Sequence, residues 1–258
     1  MTNTPYREHM HKGDHLRRLV KWGSLGGLLF SLIGTGLVWA GTDSFNCSPI
    51  IWKASLILNF CLFALAWIVY IPFRKSDLLL GNGLIMIIIL ANMFSTFWFG
   101  GFYFYFAFAP INIFLRAAAL ISVTTILLHR AHQIHHDIID AFRENKKLSE
   151  SMYRDEGTLI TFKREAVGLL EKARRERKPF HSIHAYAAII VVPFIFSLNK
   201  LLTPVLGEGH GIFLVLAFFS IPMMLWGVDI FVQTITSMIC YPIRLKRETG
   251  KNTILKNW

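Results

Sequence analysis

Residues 78–99 read LLLGNGLIMIIILANMFSTFWF, and none of them carries a charge. Extended outward, the run from Leu78 to Leu128 holds only Arg116 as a charged side chain, and Gly209 to Ile243 holds only Asp229. As a helix, an uncharged apolar stretch of about 18 residues or more matches the roughly 30 Å hydrocarbon layer of a bilayer. A soluble core element rarely needs such a run. The chain therefore reads as an all-α, polytopic integral membrane protein. Composition agrees, because 53% of the 258 residues are apolar and only 17% are charged, too few for a soluble surface of this size.

Working outward from residues 78–99, the apolar runs predict six spans, at about 19–40, 50–73, 78–99, 111–128, 184–202 and 211–240. This divides the chain into 1–128 (a polar N-terminal segment and four spans), 129–183 (a polar insertion) and 184–258 (two spans and a basic tail). Phe99 to Pro110, FGGFYFYFAFAP, reads as a connector at the headgroup boundary, broken by Gly100-Gly101 and Pro110. The alternative is one longer re-entrant element. The run from Leu25 to Ala40 is read as a retained span, since a long polar stretch and the Lys21-Trp22 anchor precede it. Cys47, Cys61 and Cys240 suggest neither a disulfide framework nor a cysteine metal site.

Charge sets the orientation. Arg7, Lys12, Arg17, Arg18 and Lys21 precede the first span, and Arg74 and Lys75 lie between the second and third. Twelve basic residues lie between Arg130 and Lys178, and Arg244, Lys246, Arg247, Lys251 and Lys256 fill the tail. With six spans all four groups share one side, and the other side keeps only Lys53 and Lys200 with Asp43 and Glu208. By the positive-inside rule both termini are cytoplasmic, and short connectors suit a bacterial inner membrane. The formal charge of +11 is spread over four segments with no nucleic-acid-binding motif, so lipid headgroups are the expected counterpart and no specific nucleic acid is expected.

In the 129–183 insertion the fourth span is expected to run on as a helix to about residue 152, with Ala131, Ile134, Ile138 and Phe142 on one face. A turn at Asp155-Glu156-Gly157 follows. Thr158 then reads as the N-cap of a second helix carrying Leu159, Phe162, Val167, Leu170 and Ala173, with a basic end before Pro179. Two such helices should form a cytoplasmic hairpin. Its narrow apolar faces either cover each other or meet a partner or second copy. The candidate contact residues are Ile134, Ile138, Phe142, Phe162, Val167 and Leu170.

Ten histidines are present, and nine fall on the expected cytoplasmic side. His129, His132, His136 and Asp140 share a helical stripe, and i, i+4 neighbours can share a metal ion. His132, His136 and Asp140, joined by His181 and His184 at the start of the fifth span, are the candidate ligands for iron or zinc. The alternative is solvated histidines on a polar face. His132-Gln-Ile-His135-His136 resembles one histidine box of the membrane fatty-acid desaturase and hydroxylase family. The resemblance implies a cytoplasmic di-iron centre, but it covers five residues. A second HxxHH is missing, and the HxxxH spacing of His11 and His15 lies before the first span.

Within the membrane, Asp229, Gln233 and Arg116 form the candidate polar group. A carboxylate in lipid must face protein, water or a cation. Arg116 is the expected counter-ion if the sixth span begins near residue 221. If it begins near Gly211, Asp229 lies at the cytoplasmic boundary. Asn59, Asn82, Asn92 and the small residues of the first span suit helix packing, and Gly23 and Gly27 have spacing that serves packing or dimerisation. No P-loop, nucleophile elbow or dinucleotide fingerprint occurs. Three function classes follow. The first is a non-enzymatic inner-membrane component of a larger assembly, of secretion, conjugation, envelope or immunity type, with a homo-oligomer or other membrane proteins as partners. The second is a channel or small transporter using Asp229 and Arg116. The third is a membrane metalloenzyme using the histidine cluster.

Overall fold

The structure, a computed structural model, describes residues 14–175, 195–207 and 209–255. Among these residues five helices are long and apolar enough to cross a membrane: α1 (His15–Ser44), α2 (Ile50–Phe73), α3 (Leu79–Phe108), α4 (Ile113–Glu144) and α8 (His210–Thr249). Between α4 and α8 lie α5 (Lys146–Met152), α6 (Val167–Arg175) and α7 (Ile195–Leu206). The chain is thus essentially all-α and membrane-embedded in character. Residues 184–194 of the expected fifth span lie outside the described residues. α7 carries the second half of that span and runs past residue 202.

The outer surface of the bundle is apolar. On α2, Ile57, Ile68 and Ile71 are each at least 60% exposed, and on α4 Phe114, Ile121 and Leu128 are still more exposed. In water so large an apolar girdle would drive association, whereas in hydrocarbon it is the lipid-facing wall.

α3 runs past Gly100-Gly101, where the sequence reading ends it. A mid-helix glycine costs on the order of 1 kcal/mol, and here close packing offsets that cost. A Cβ on Gly100 would sit 3.0 Å from the Gly34 carbonyl oxygen, and one on Gly101 would sit 2.7 Å from Ser220 Cβ. The glycines let α3 wedge between α1 and α8, and the turn there widens into a π segment, Thr96–Tyr103. Similar π turns occur at Leu19–Gly23 in α1 and Thr236–Cys240 in α8. Pro110 follows the end of α3. Asn112 then caps α4, its side chain accepting the Phe114 N–H at 2.8 Å. The spacing of Gly23 and Gly27 serves packing within the chain: a Cβ on either would press on Ile89 of α3.

α4 is 32 residues long, about 48 Å, so its last turns extend beyond a bilayer core. Asn145 ends it and caps α5 by accepting the Leu148 N–H. The expected helical hairpin is replaced there by a mixed module. Tyr153–Asp155 (β1) pairs antiparallel with Ile160–Phe162 (β2), and Thr253–Leu255 (β3) of the tail joins β2 in parallel. Thr158 lies in the β1–β2 turn and caps no helix, and a 3₁₀ turn at Arg164–Ala166 leads into α6. The physical reason is burial of both faces of β2, whose three residues are all buried, so the ITF segment gains more as the central strand than as a helical turn. The tail also holds the α2–α3 connector, because the Leu255 N–H donates to the Asp77 carbonyl at 2.8 Å.

Ile134, Ile138, Phe142, Phe162 and Leu170, read from sequence as partner contacts, are all buried inside this module, with Val167 packed beside them. They join Leu148, Met152, Tyr153, Ile160 and Leu255 in one core. That face is covered within the chain itself.

Candidate functional site

The most concentrated polar chemistry lies where α4, α6 and α8 converge. Arg130 of α4 grips Asp229 of α8 with both ends of its guanidinium: Nε donates to Oδ1 and Nη2 to Oδ2, each at 3.0 Å. Arg174 of α6 reaches Oδ2 of the same carboxylate at 3.5 Å and donates to Gln233 Oε1 at 2.8 Å. Gln233 stands one turn beyond Asp229. The side chains of Arg130, Asp229 and Arg174 are only 17%, 13% and 12% exposed. Burial draws the Arg174 guanidinium below its ordinary value, and the Asp229 carboxylate opposes that shift most strongly. Asp137 and Glu171 add negative potential at Arg174, while Arg130 subtracts from it.

The local sequence explains the convergence. Arg130 is 17 residues beyond Ile113 and Asp229 is 19 beyond His210, about 26 and 28 Å along their helices. Both distances approach the roughly 30 Å thickness of a bilayer core, and near either boundary of such a layer a bidentate charge pair is tolerable. The expected pairing of Asp229 with Arg116 is not formed. Arg116 lies one turn into α4, about 21 Å from Arg130 along the axis, and its Nη2 donates to the Ala109 carbonyl at 2.8 Å. The second placement in the sequence reading puts Asp229 at the cytoplasmic boundary, and there the helix runs from His210 as that placement assumes. It missed the two arginines; similar distances along α4 and α8 could have suggested Arg130, but not Arg174. Chemically the cluster is a clamp: one carboxylate of α8 ties together the long helix α4 and the module helix α6.

Among the described residues the histidines do not gather around a point. His132 and His136 are exposed, with ring centroids 4.3 Å apart. Asp140 lies two turns from His132, about 12 Å along the axis, and faces Arg143 at 4.0 Å. His129 Nε2 lies 2.8 Å from the Gln133 amide nitrogen, and His135 Nδ1 lies 3.0 Å from Thr236 Oγ1. Among the described residues no group of three or more metal-ligating side chains converges. His181 and His184 lie outside those residues.

Two further contacts secure the module. Tyr153, at the centre of an aromatic set with Phe142, Phe162 and Tyr241, donates its hydroxyl to the Ser237 carbonyl. Burial pushes that phenol well above its ordinary value. At the surface Lys251 Nζ stands 2.6 Å from Asp155 Oδ2, and Asp155 also accepts the Gly157 N–H. The Lys251 contact, helped by Gly157, holds the Asp155 carboxyl below the ordinary carboxylate range. A depressed carboxylate contributes stability above its unfolded value, near 3.9, and loses that contribution as pH falls through the lower folded value. Carbon-detected NMR should therefore show Asp155 titrating below about 3.9, and Lys251→Met should raise its midpoint. An Asp155 midpoint that the lysine substitution leaves in place would contradict the contact.

At the opposite end of the bundle, Tyr105 and His210 meet at 3.2 Å within an aromatic box that includes Phe45 and Phe213. These residues close the bundle where α1, α3 and α8 end or begin. The sequence reading did not single them out, and only the aromatic run after Phe99 pointed toward them.

No protein-family model matches the chain, and no curated protein or solved structure is significantly similar to it.

Proposed function

We propose that the chain is a non-enzymatic inner-membrane component of a larger assembly, of secretion, conjugation, envelope or immunity type. In this reading it holds a rigid folded module against the cytoplasmic face of the membrane. The observation that carries the proposal is the clamp of Arg130 and Arg174 on Asp229. It fixes α6, and with it the module core, to the spans. A module that is fully packed and tied down at three helices suits presentation of a surface to other proteins. Its exposed side combines two apolar residues outside the spans, Leu159 at 37% and Leu169 at 50% exposure, with the charged surface around them.

The orientation belongs to the same proposal. α4 ends on the module side and α8 begins on the other. With the six spans expected from the sequence, both termini lie on the cytoplasmic side. The basic segments around Arg18, Arg74, Arg164 and Arg247 then all face the cytoplasm, as the positive-inside rule requires.

The test is purification in mild detergent with mass determination on the intact particle. The proposal expects a particle heavier than one 29.6 kDa chain plus detergent, either a homo-oligomer or a complex with other membrane proteins. It also expects Leu169→Glu to shift that mass downward while the melting curve stays in place. A strictly monomeric particle under all mild conditions would overturn the proposal.

A further inference from the structure

Beyond Leu128 the outward stripe of α4 changes from apolar side chains to imidazoles. Ile121 and Leu128 are strongly exposed, and His132 and His136 continue the same stripe, both exposed. A spacing of four residues sets the two histidines one above the other, about 6 Å apart along the axis. Their ring centroids are 4.3 Å apart and the rings are inclined by 65°. The flanking histidines are engaged elsewhere, His129 with Gln133 and His135 with Thr236. Among the described residues neither His132 nor His136 has a hydrogen-bond partner, so the two rings that stand together are the two with nitrogens to offer.

Two imidazoles that share one zinc ion tetrahedrally, at Zn–N distances of about 2.0–2.1 Å, have ring centres about 5 Å apart. The observed pair is close to that separation, and rotation of the side chains closes the difference. An i, i+4 pair is also the spacing by which one helix face offers two histidines to zinc. The backbone beneath the pair is already fixed. Both residues lie well inside α4, and Ile134 and Ile138 on its other face are fully buried, so binding an ion orders no main chain. Asp140, one turn beyond His136, faces Arg143, and among the described residues no third ligand converges on the pair.

We propose that His132 and His136 form a two-histidine clip for an exchangeable divalent transition ion of the zinc class on the outward face of α4. Imidazole nitrogen suits zinc, copper and nickel, whereas magnesium and calcium take oxygen ligands. With two ligands from the chain, the other positions of a tetrahedral ion stay open to water or to a donor from another molecule. The ion is therefore held loosely, unlike the closed four-ligand sites that stabilise folds. The clip is narrower than the ligand set read from the sequence, because Asp140 takes no part in it. It is independent of the assembly role, since one helix supplies both ligands and no partner is needed.

The experiment is carbethoxylation of the purified full-length chain in lipid nanodiscs, with zinc as the probe and mass spectrometry reading each histidine separately. Diethyl pyrocarbonate attacks a free imidazole nitrogen and spares one bound to metal, so zinc held elsewhere on the chain does not enter the reading. Rising zinc should protect His132 and His136 together, at one midpoint, while magnesium at the same concentrations protects neither. His129 should keep its reactivity throughout. His136→Ala should move the zinc midpoint for His132 at least tenfold higher, and His132→Ala should do the same for His136. Both side chains are exposed, and circular dichroism would confirm that the variants keep the wild-type fold. Labelling of His132 and His136 that zinc leaves unchanged in wild type would overturn the proposal. Protection of His132 at the wild-type midpoint in His136→Ala would overturn it as well, since a single imidazole would then account for the binding.

Discussion

Replacing Asp229 with asparagine is expected to lower the stability of the folded protein by about 3 kcal/mol, because two largely buried guanidinium groups lose their shared carboxylate. Arg130 and Arg174 approach it from two different helices, and their side chains are 17% and 12% exposed, so little solvent is available to replace it. The loss should be local first: α6 should become accessible to protease before the spans unfold. Adding Arg174→Met to Asp229→Asn removes one of the uncompensated charges. The double variant should therefore recover part of the loss, a coupling that independent sites would not show. Thermal unfolding and limited proteolysis in detergent measure both effects. A double variant whose loss equals the sum of the single losses would show that the three groups do not act together. The same substitution bears on a transport role, in which Asp229→Asn would stop flux while leaving stability near that of wild type.

The second large effect is expected at Phe162. This side chain is 1% exposed at the centre of β2, and its ring lies 5.3 Å from that of Tyr153. Truncation to alanine should cost about 3–5 kcal/mol through lost burial and the cavity left behind. The module should loosen while the bundle stays helical, since β2 is the strand that joins β1 to the tail strand β3. Hydrogen exchange would show loss of protection at Leu255, whose N–H bonds the Asp77 carbonyl, with spans α1 to α3 unchanged. Protection at Leu255 equal to wild type would mean that the tail is held without the sheet.

Much of this architecture is legible along the chain. Residues 50–73 coincide with α2, and Asn112 and Gly209 precede helices that start where the apolar runs begin. Periodicity placed Ile134, Ile138 and Phe142 on one face, and that face is buried. Its neighbours were only partly legible, because Tyr241, which stacks on Phe142, lies far along the chain, and β2 of the same module pairs with the distant strand β3, Thr253–Leu255. A parallel pairing over that distance leaves no local signal, and Thr158 therefore looked like a cap. Gly100-Gly101 misled for the opposite reason. A glycine pair breaks a free helix but permits a packed one, and the deciding contact with Gly34 is tertiary. Asp229 stood out by its rarity, as ionisable groups in apolar runs do. Arg130 and Arg174 did not, because each lies in a polar stretch where a basic residue attracts no notice.

In the proposed topology the helices cross a bilayer and gather the module and basic tail on one face. Single-cysteine labelling tests this directly, in a background with Cys47, Cys61 and Cys240 replaced and with a membrane-impermeant maleimide on sealed vesicles of known orientation. Arg154→Cys in the module and Arg247→Cys near the tail should react from the cytoplasmic side, and Lys53→Cys from the other side only. Labelling of positions 154 and 247 from opposite sides, or of position 53 from the same side as both, would contradict the account.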